Sequence, residues 1–422
     1  MLLTGPKRKK SRWGMLVDRI KMLRYNTFDV QLLKSFDWLL LAMVLAISVF
    51  GVICIFAATG LPTEQPANSF LDLIRTQQIY YPRLQIFWIL TGIVFMALMV
   101  VVDYEVIGQL SDMLYWFNIG LLVVVLFMER GRGGMAGWFR WGSDAARTIQ
   151  PAEFGKLAII VALAKLFAMR KKPISRVAEL LPVLAYVGLP LVLIAAQPDY
   201  GTAMVYVVIF AVTLYAAGTS NKLLIGMVCL AILMLVPLWF FMQNAESNFR
   251  AMRILAFLNP GVDTLNSNYQ TNNSMIAFGS GGLWGKGMFS PGSFATLNYI
   301  PDDYTDFIFA IVGESFGLVG AGALTIGYLL ILFRLIWIAN HAADAFGTYM
   351  VIGVMAMLLF HIMENICMVI GIMPVTGIPL PFVSYGGSSY LTNMMGIGLA
   401  INVAMRSKDK RERPVPRQVV QL

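Results

Sequence analysis

The stretch YIPDDYTDFIFAIVGESFG, residues 299–317, places Asp302, Asp303 and Asp306 before an apolar run and Glu314 inside it. Two interpretations account for these carboxylates. Acids in the first turn of a helix complement the positive end of the helix dipole. A carboxylate held at the edge of a lipid phase can instead act as a general base. The choice depends on whether the apolar runs cross a bilayer.

The composition is that of a membrane protein. The chain has 422 residues, of which 58% are hydrophobic and only 13% are charged, and its mean hydropathy is +0.71. Such a chain lacks the polar surface that a soluble protein needs. Its apolar runs repeatedly reach about 18 to 22 residues, the length that spans a hydrocarbon core. The sequence therefore predicts an all-α polytopic membrane protein.

Ten apolar runs are candidate transmembrane helices. They lie at about 38–58, 84–102, 111–128, 152–169, 178–196, 202–217, 223–242, 306–335, 348–371 and 388–405. This division predicts one membrane domain over 38–405, with basic tails at 1–37 and 406–422 and one long outer loop at about 242–305.

The net charge of +9 comes from basic residues that cluster in the tails and in short loops beside the spans. Lysine and arginine are enriched on the cytoplasmic side of membrane proteins. We therefore expect both termini to be cytoplasmic, and the charge does not indicate nucleic-acid binding.

Cysteine and histidine give no cofactor signature. Cys54, Cys229 and Cys367 have no paired spacing, and His341 and His361 are too few and too far apart for a histidine-based metal centre. The sequence predicts no cofactor with certainty. The chemistry described below is compatible with one cofactor, a divalent metal ion.

Four unusual polar stretches fall on the predicted outer side of the membrane, at 137–156, 195–203, 279–307 and 373–389. Polar groups that converge at one membrane depth are what a site inside a membrane protein requires. We therefore expect the four stretches to meet.

The first two stretches each allow two interpretations. In QPAEFGK, Glu153 and Lys156 share a helix face and either neutralise each other or, with Arg140 and Arg147, meet a diphosphate. In QPDYGT, Gln197 and Asp199 either cap the next helix or contact a substrate.

The last two stretches are equally open. The sequence GSGGLWGKG at 279–287 does not fit a nucleotide-binding loop, and its glycines form either a turn that brings Lys286 to the site or a plain flexible loop. The PLPFVSYGGSS loop either lines the same crevice through Ser384, Tyr385 and Ser388 or only caps the last helix.

Asp306 is the acid placed furthest into its span. The residues in register with it are small, at Ala310, Gly313, Gly317 and Gly320, and such a stripe lets another helix pack closely. We expect the Asp306 carboxylate to face a crevice open to the outer surface. Glu314 lies off the stripe and is predicted to be a buried partner of a lysine or of backbone groups.

These motifs together resemble a known family. The "RW" pair, QPAEFGK, QPDYGTA, GSGGLWGKG, PDDYTDFIFAIVGESFG and PVTGIPLPFVSYGGSS follow the order and spacing of the SEDS proteins, the RodA, FtsW and SpoVE group of cell-wall synthases. The resemblance spans about residues 38–405. The stretch NICMVIGIMPVTGIPLPFVSYGGSS, residues 365–389, looks more like RodA than like FtsW. The chain departs from the family at Asp302 and Tyr304, where glutamate and histidine are usual.

The resemblance implies ten transmembrane helices and a peptidoglycan glycosyltransferase that polymerises lipid II at the outer face of the cytoplasmic membrane. It implies a class B penicillin-binding protein as transpeptidase partner, alongside other membrane proteins of the elongation or division complex. The family's essential aspartate falls on Asp306, which we expect to be the general base of an inverting transfer that releases polyprenyl diphosphate. The residues expected to bind substrate are Arg140, Trp141, Arg147, Gln150, Glu153, Lys156, Gln197, Asp199, Lys286, Ser384, Tyr385 and Ser388.

Two other classes of function compete with an enzyme. A flippase for a lipid-linked sugar would place charges near the bilayer midplane on interrupted helices in paired halves, whereas here the acids lie at the rim and no repeat is visible. A non-catalytic scaffold would leave the outer acids and bases without a task.

Overall fold

The structure is a computed structural model that describes residues 30–59, 79–128, 137–140, 148–230, 233, 267–297, 299–301 and 303–412. Within these ranges the chain is almost entirely helical, and its strands are one antiparallel pair, Phe139–Arg140 and Thr148–Ile149. The all-α polytopic class predicted from the composition is confirmed.

Twelve α-helices follow one another in the described residues, after a short 3₁₀ helix at Val30–Ser35. They are α1 (Trp38–Thr59), α2 (Tyr80–Val101), α3 (Tyr104–Gln109), α4 (Ser111–Leu126), α5 (Pro151–Ala168), α6 (Val177–Ala196), α7 (Tyr200–Ala216), α8 (Asn221–Leu230), α9 (Ser267–Ser280), α10 (Ile308–Asn340), α11 (Ala345–Val369) and α12 (Gly387–Glu412).

Nine of the ten predicted spans each correspond to one of these helices. For the predicted span at 223–242, the structure describes α8 and Leu233, and the rest lies outside the described residues. Most of the basic tails, 1–29 and 413–422, also lies outside them. Helix α12 continues to Glu412. Within its last part, Arg406 forms an ion pair with Asp103 at 3.2 Å.

The predicted span at 306–335 needs correction, because α10 is broken at Gly317. This residue has φ 68° and ψ −169°, a conformation that only glycine adopts readily. At the break, the backbone of α10 hydrogen-bonds to the loop that follows α9. Leu318 N donates to Gly282 O at 2.9 Å, and Val319 N donates to Leu283 O at 3.1 Å. Helix α10 therefore consists of two helical segments, one on each side of Gly317.

The small-residue stripe lets another helix, α9, pack closely against α10, as predicted, and it also admits the loop after α9. Gly313 lies against the Phe278 ring of α9, and Gly317 lies against the backbone of Leu283 and Gly285. The small residues let α9 and the loop after it approach α10 closely. Helix α9 itself, inside the long predicted loop, was not predicted.

The core of the bundle is formed by α5, α11 and α12. Helix α11 packs against α5, α7 and α10, while α12 packs mainly against α2. Ion pairs close one end of the bundle, where Arg334 meets Asp37 at 2.8 Å and Lys165 meets Asp112 at 2.9 Å. The opposite end, where α2, α5, α7, α10 and α12 begin, carries the polar stretches.

Candidate functional site

A cavity of about 420 Å³ opens among the polar stretches at this end of the bundle. All four predicted stretches contribute residues to the cavity wall. The polar and charged residues that line it are Trp138, Gln150, Glu153, Asp199, Tyr200, Thr202, Thr305, Asp306, Thr376, Tyr385, Ser388 and Ser389. The convergence predicted from sequence is therefore present.

Four helices begin at the cavity. Pro151 starts α5, Tyr200 starts α7, Ile308 starts α10 and Gly387 starts α12, and each of these residues lies at or beside the lining. A helix N-terminus carries about half a positive charge and free N–H groups. The cavity thus has a positive electrostatic contribution from the backbone, which suits an anionic ligand.

Asp306 lies in the turn just before α10 and lines the cavity. Its backbone carbonyl accepts a hydrogen bond from Nδ2 of Asn365 at 2.7 Å. On the opposite side, a β-carbon at Gly377 would lie 3.2 Å from Oδ2 of Asp306. Gly377 has φ 80°, so glycine is needed there both for the turn and for the close approach of the loop to the carboxylate.

Asn365 and Glu364 support this wall from behind and were not predicted as site residues. Asn365 also donates to Ile378 O at 2.8 Å, and the Glu364 carboxyl group accepts a hydrogen bond from the cavity-lining Thr376 hydroxyl. Both side chains are fully buried. The sequence could have indicated Glu364, because an ionisable residue inside an apolar span marks a functional region.

Gln150, Asp199 and Ser388 join the starts of α5, α7 and α12. Nε2 of Gln150 donates to Oδ2 of Asp199 at 2.6 Å, and the Gln150 amide donates to the Ser388 hydroxyl at 3.1 Å. Asp199 also caps α7, accepting from the Thr202 amide at 3.0 Å. All three residues line the cavity. Asp199 therefore caps α7 and also faces the site.

Glu153 and Lys156 form a buried ion pair of 2.6 Å, with 1% of the lysine side chain exposed. Nζ of Lys156 also lies 3.0 Å from Nε2 of His361. Glu153 lines the cavity, but Lys156 does not. The prediction that Lys156 faces the cavity is therefore wrong here: the lysine lies one turn deeper in α5 and points at α11.

Lys286 is likewise not a lining residue. Its Nζ lies 3.0 Å from Oε1 of Glu314, which also accepts from the amides of Phe294 at 2.9 Å and Ala295 at 3.3 Å. The prediction that Glu314 is a buried partner of a lysine and of backbone groups is confirmed. The same pair holds Lys286 away from the cavity, against the expectation of a substrate contact.

Gln197 and Ser384 have structural hydrogen bonds in place of the predicted substrate contacts. Nε2 of Gln197 donates to Leu122 O at 2.9 Å, and the Ser384 hydroxyl accepts from the Leu380 amide at 2.8 Å. Both side chains are buried and neither lines the cavity. The Gln197 bond joins the loop before α7 to α4, and the Ser384 bond closes the turn at residues 380–384.

Tyr385 completes the polar wall. Burial raises the pKa of its hydroxyl to about 12, so the group stays protonated at neutral pH and can donate a hydrogen bond. Of the remaining predicted site residues, Trp141 and Arg147 lie outside the described residues, as does the side chain of Arg140. The strand pair at Phe139–Arg140 and Thr148–Ile149 holds the two ends of that segment together beside α5.

The described part of the chain contains no group of three or more His, Cys, Asp or Glu side chains arranged to hold a metal ion. It also places no lysine or arginine on the cavity wall. Among these residues, the positive contribution to the cavity comes from helix termini.

Comparison with known proteins identifies the family. The FtsW/RodA/SpoVE family, described as "cell cycle protein", matches residues 37–409. The chain belongs to this family. It is 33% identical to stage V sporulation protein E of Bacillus subtilis over 88% of this chain and 98% of that one. It is 33% identical to peptidoglycan glycosyltransferase MrdB of Escherichia coli over 88% of this chain and 94% of that one.

Solved structures agree with this family assignment. A structure described as the structural coordination of polymerization and crosslinking by a peptidoglycan synthase complex matches with a TM-score of 0.70 and 26% identity, over 88% of this chain and 98% of that one. The crystal structure of the rod shape-determining protein RodA of Thermus thermophilus matches with a TM-score of 0.62 and 26% identity, over 90% and 98%. The fold is therefore that of the family's polytopic membrane proteins.

Proposed function

We propose that this peptidoglycan glycosyltransferase polymerises lipid II at the outer face of the cytoplasmic membrane, with Asp306 as the general base. The observation that carries the proposal is the position of Asp306: a carboxylate on the wall of a cavity where four helix N-termini meet. The family membership supports the reaction class, because relatives with this architecture are named peptidoglycan glycosyltransferases.

In the proposed reaction, the C4 hydroxyl of an acceptor sugar attacks the anomeric carbon of a donor linked to a polyprenyl diphosphate. Asp306 takes the hydroxyl proton as the new glycosidic bond forms and the diphosphate leaves with the electron pair of the broken bond. Positioned base catalysis contributes about 10²- to 10⁴-fold to the rate. An α-linked donor and a β-linked product require one displacement with inversion, so no carboxylate nucleophile is needed.

Two further acids, Glu153 and Asp199, lie on the cavity wall. Glu153 is paired with Lys156, and Asp199 is held by Gln150 and by the Thr202 amide. Asn365 fixes the backbone of Asp306, and Oδ2 of Asp306 lies close to Gly377 on the cavity wall. This fixed position on the wall supports Asp306 as the residue that acts on the acceptor.

The departing diphosphate needs positive charge. The starts of α5, α7, α10 and α12 supply part of it. Arg140 belongs to the first of the two short strands next to α5, and Arg147 directly precedes the second strand in sequence. We propose that they complete the anion site, alone or with a divalent ion.

For the cellular role, we propose cell elongation, as for RodA, with a class B penicillin-binding protein as partner and both termini in the cytoplasm. The stretch at residues 365–389 supports the elongation role, and the solved peptidoglycan synthase complex supports a partner. The similar identities to the sporulation protein and to MrdB leave division or sporulation as the alternative roles.

The proposal is tested by incubating the purified protein with lipid II in vesicles, alone and with its penicillin-binding partner. We expect glycan polymer on the side that the cavity faces. A flippase is the second candidate, and it would move lipid II across the vesicle membrane without polymerising it. That result would overturn the proposed activity.

A further inference from the structure

Thr376 lies on the cavity wall, and its side chain is bonded to a carboxyl group behind that wall. The Thr376 hydroxyl donates to the carboxyl group of Glu364 in α11. The Glu364 side chain is fully buried, whereas Thr376 is partly exposed and lines the cavity. These two residues are called the Glu364–Thr376 couple below.

The bond within the couple sets the direction of the Thr376 hydroxyl. A hydroxyl group has one proton to donate and two lone pairs that accept. Because the proton points to Glu364, the lone pairs of the threonine oxygen are left for a donor that approaches from the cavity. Thr376 therefore offers a hydrogen-bond acceptor to a ligand.

The couple lies next to the proposed base. A β-carbon at Gly377, the residue after Thr376, would lie 3.2 Å from Oδ2 of Asp306. Asn365, the residue after Glu364, donates to the backbone carbonyl of Asp306 at 2.7 Å. Two consecutive residues of α11 thus hold the threonine and the aspartate. The Thr376 oxygen and the Asp306 carboxylate are two acceptors on the wall of one cavity.

A loop hydroxyl often only closes its own turn, and Ser384 does so in the same loop. The Ser384 hydroxyl is buried, accepts from the Leu380 amide at 2.8 Å and does not line the cavity. The Thr376 hydroxyl differs in two ways, because its partner belongs to another element and its side chain lines the cavity. Oε2 of Glu364 is buried without a hydrogen-bond partner in the described part of the chain, so the Thr376 hydroxyl is the group that this carboxyl holds.

Two acceptors on one wall match two neighbouring hydroxyl groups of a sugar. A pyranose carries hydroxyl groups on adjacent carbons, and each hydroxyl can donate one hydrogen bond. In the proposed reaction the C4 hydroxyl donates to Asp306, and the C3 hydroxyl beside it is the next donor. An ionised diphosphate brings acceptors only, so it does not suit this part of the wall.

We propose that Thr376 binds the C3 hydroxyl of the acceptor, the terminal sugar of lipid II, with its own hydroxyl oriented by Glu364. This inference rests on the proposed function for the reaction and for the acceptor. Thr376 contacts the substrate, and Glu364 acts through Thr376 as a positioning residue. By holding the neighbouring hydroxyl, Thr376 directs the C4 hydroxyl to Asp306.

The test removes each partner of the proposed bond in turn. Thr376→Val removes the side-chain hydroxyl and keeps the shape, and a lipid II analogue with hydrogen in place of the C3 hydroxyl removes the substrate group. Each change alone should lower kcat/KM for polymerisation about three- to tenfold, the range for one hydrogen bond. Both together should lose no more than either alone, because they break the same bond. Additive losses, or an unchanged kcat/KM in Thr376→Val, would overturn the inference.

Conservative variants separate substrate binding from the architecture of the loop. Thr376→Ser keeps the hydroxyl and Glu364→Gln keeps an acceptor for it, so both should stay within about twofold of wild type. Glu364→Leu leaves the hydroxyl without its acceptor and should lower kcat/KM, with a smaller effect of the analogue than in wild type. Equal losses in Glu364→Gln and Glu364→Leu would refute the positioning role. If Glu364→Leu does not fold, the Thr376 variants decide the proposal.

Thr325→Val is the matched control. Thr325 in α10 also has a partly buried hydroxyl, which donates to Ala321 O at 2.8 Å, but it does not line the cavity. This variant should leave kcat/KM and the effect of the analogue unchanged. The same loss in Thr325→Val as in Thr376→Val would contradict a specific contact.

A measurement without turnover separates this inference from the proposed function. Full-length protein carrying Asp306→Asn is titrated with lipid II and with the analogue, and binding is followed by native mass spectrometry. Lipid II should bind more tightly than the analogue, and adding Thr376→Val should remove the difference. An equal Kd for the two ligands before that addition would overturn the Thr376 contact. Failure of the wild-type protein to polymerise would instead contradict the proposed function, and the titration would still decide the contact.

Discussion

Nδ2 of Asn365 lies 2.7 Å from the backbone carbonyl oxygen of Asp306 and 2.8 Å from that of Ile378. One buried amide of α11 thus holds the segment that carries the proposed base and the loop that faces it. The position of Asp306 depends on a side chain 59 residues away in sequence.

Asn365→Ala removes both of these hydrogen bonds. We expect lipid II polymerisation to fall by about 10- to 100-fold, because small misplacements of a catalytic group are costly. The variant should also lose about 1 to 3 kcal/mol of stability, since two buried carbonyl groups lose a donor. Polymer formation and the melting temperature in detergent measure the two effects.

Asn402→Ala is the control for Asn365→Ala. Asn402 also bridges two backbone carbonyls, those of Met99 and Val102, but at the opposite end of the bundle. It should cost similar stability and leave the polymerisation rate within about twofold of wild type, because it lies far from any reacting group. Equal losses of activity in the two variants would show that Asn365 has no specific role at Asp306.

The buried Glu153–Lys156 pair is expected to be structural. Lys156→Met should destabilise the protein by about 3 to 5 kcal/mol, because it leaves the Glu153 charge buried without its partner. The double variant Glu153→Gln, Lys156→Met should recover most of that loss. A double-mutant cycle of melting free energies measures the recovery, and a double variant less stable than Lys156→Met would refute this interpretation.

The break in α10 is expected to require glycine. Gly317→Ala would place a β-carbon 2.4 Å from the Gly285 backbone nitrogen, in a left-handed conformation. We expect a loss of at least about 1 to 3 kcal/mol from the backbone strain alone. Gly322→Ala, where a β-carbon meets nothing within 4 Å, should be neutral or stabilising in the same melting experiment.

Lys286 is expected to matter little for substrate binding. Because its Nζ is held by Glu314 outside the cavity, Lys286→Met should leave the KM for lipid II nearly unchanged. Steady-state polymerisation kinetics measure this. A tenfold rise in KM with unchanged kcat would restore the substrate contact predicted from the sequence.

The sequence was sufficient for the parts of the fold that depend on local pattern. Apolar run length located the helices, and the position of the polar stretches at one depth predicted the cavity lined by Asp306, Gln150, Glu153, Tyr385 and Ser388. These residues lie at helix starts, where sequence position fixes the membrane depth.

The sequence did not predict which partners the side chains deeper in the bundle contact. Helical spacing puts Glu153 and Lys156 on one face, but only the packing of α11 decides that Lys156 meets His361 below the cavity. The break at Gly317 likewise depends on the loop at 282–287 docking there. Asn365 was missed because its partners are set by tertiary contacts.

The most direct test of the central claim replaces Asp306 by asparagine, which keeps the size and polarity of the side chain but cannot accept the acceptor's proton. The variant should fold, bind lipid II and form no glycan polymer, with a rate reduced by at least about 10²- to 10⁴-fold. Asp112→Asn, at the opposite end of the bundle, should polymerise like the wild type. Undiminished polymer from a folded Asp306→Asn variant would contradict the account.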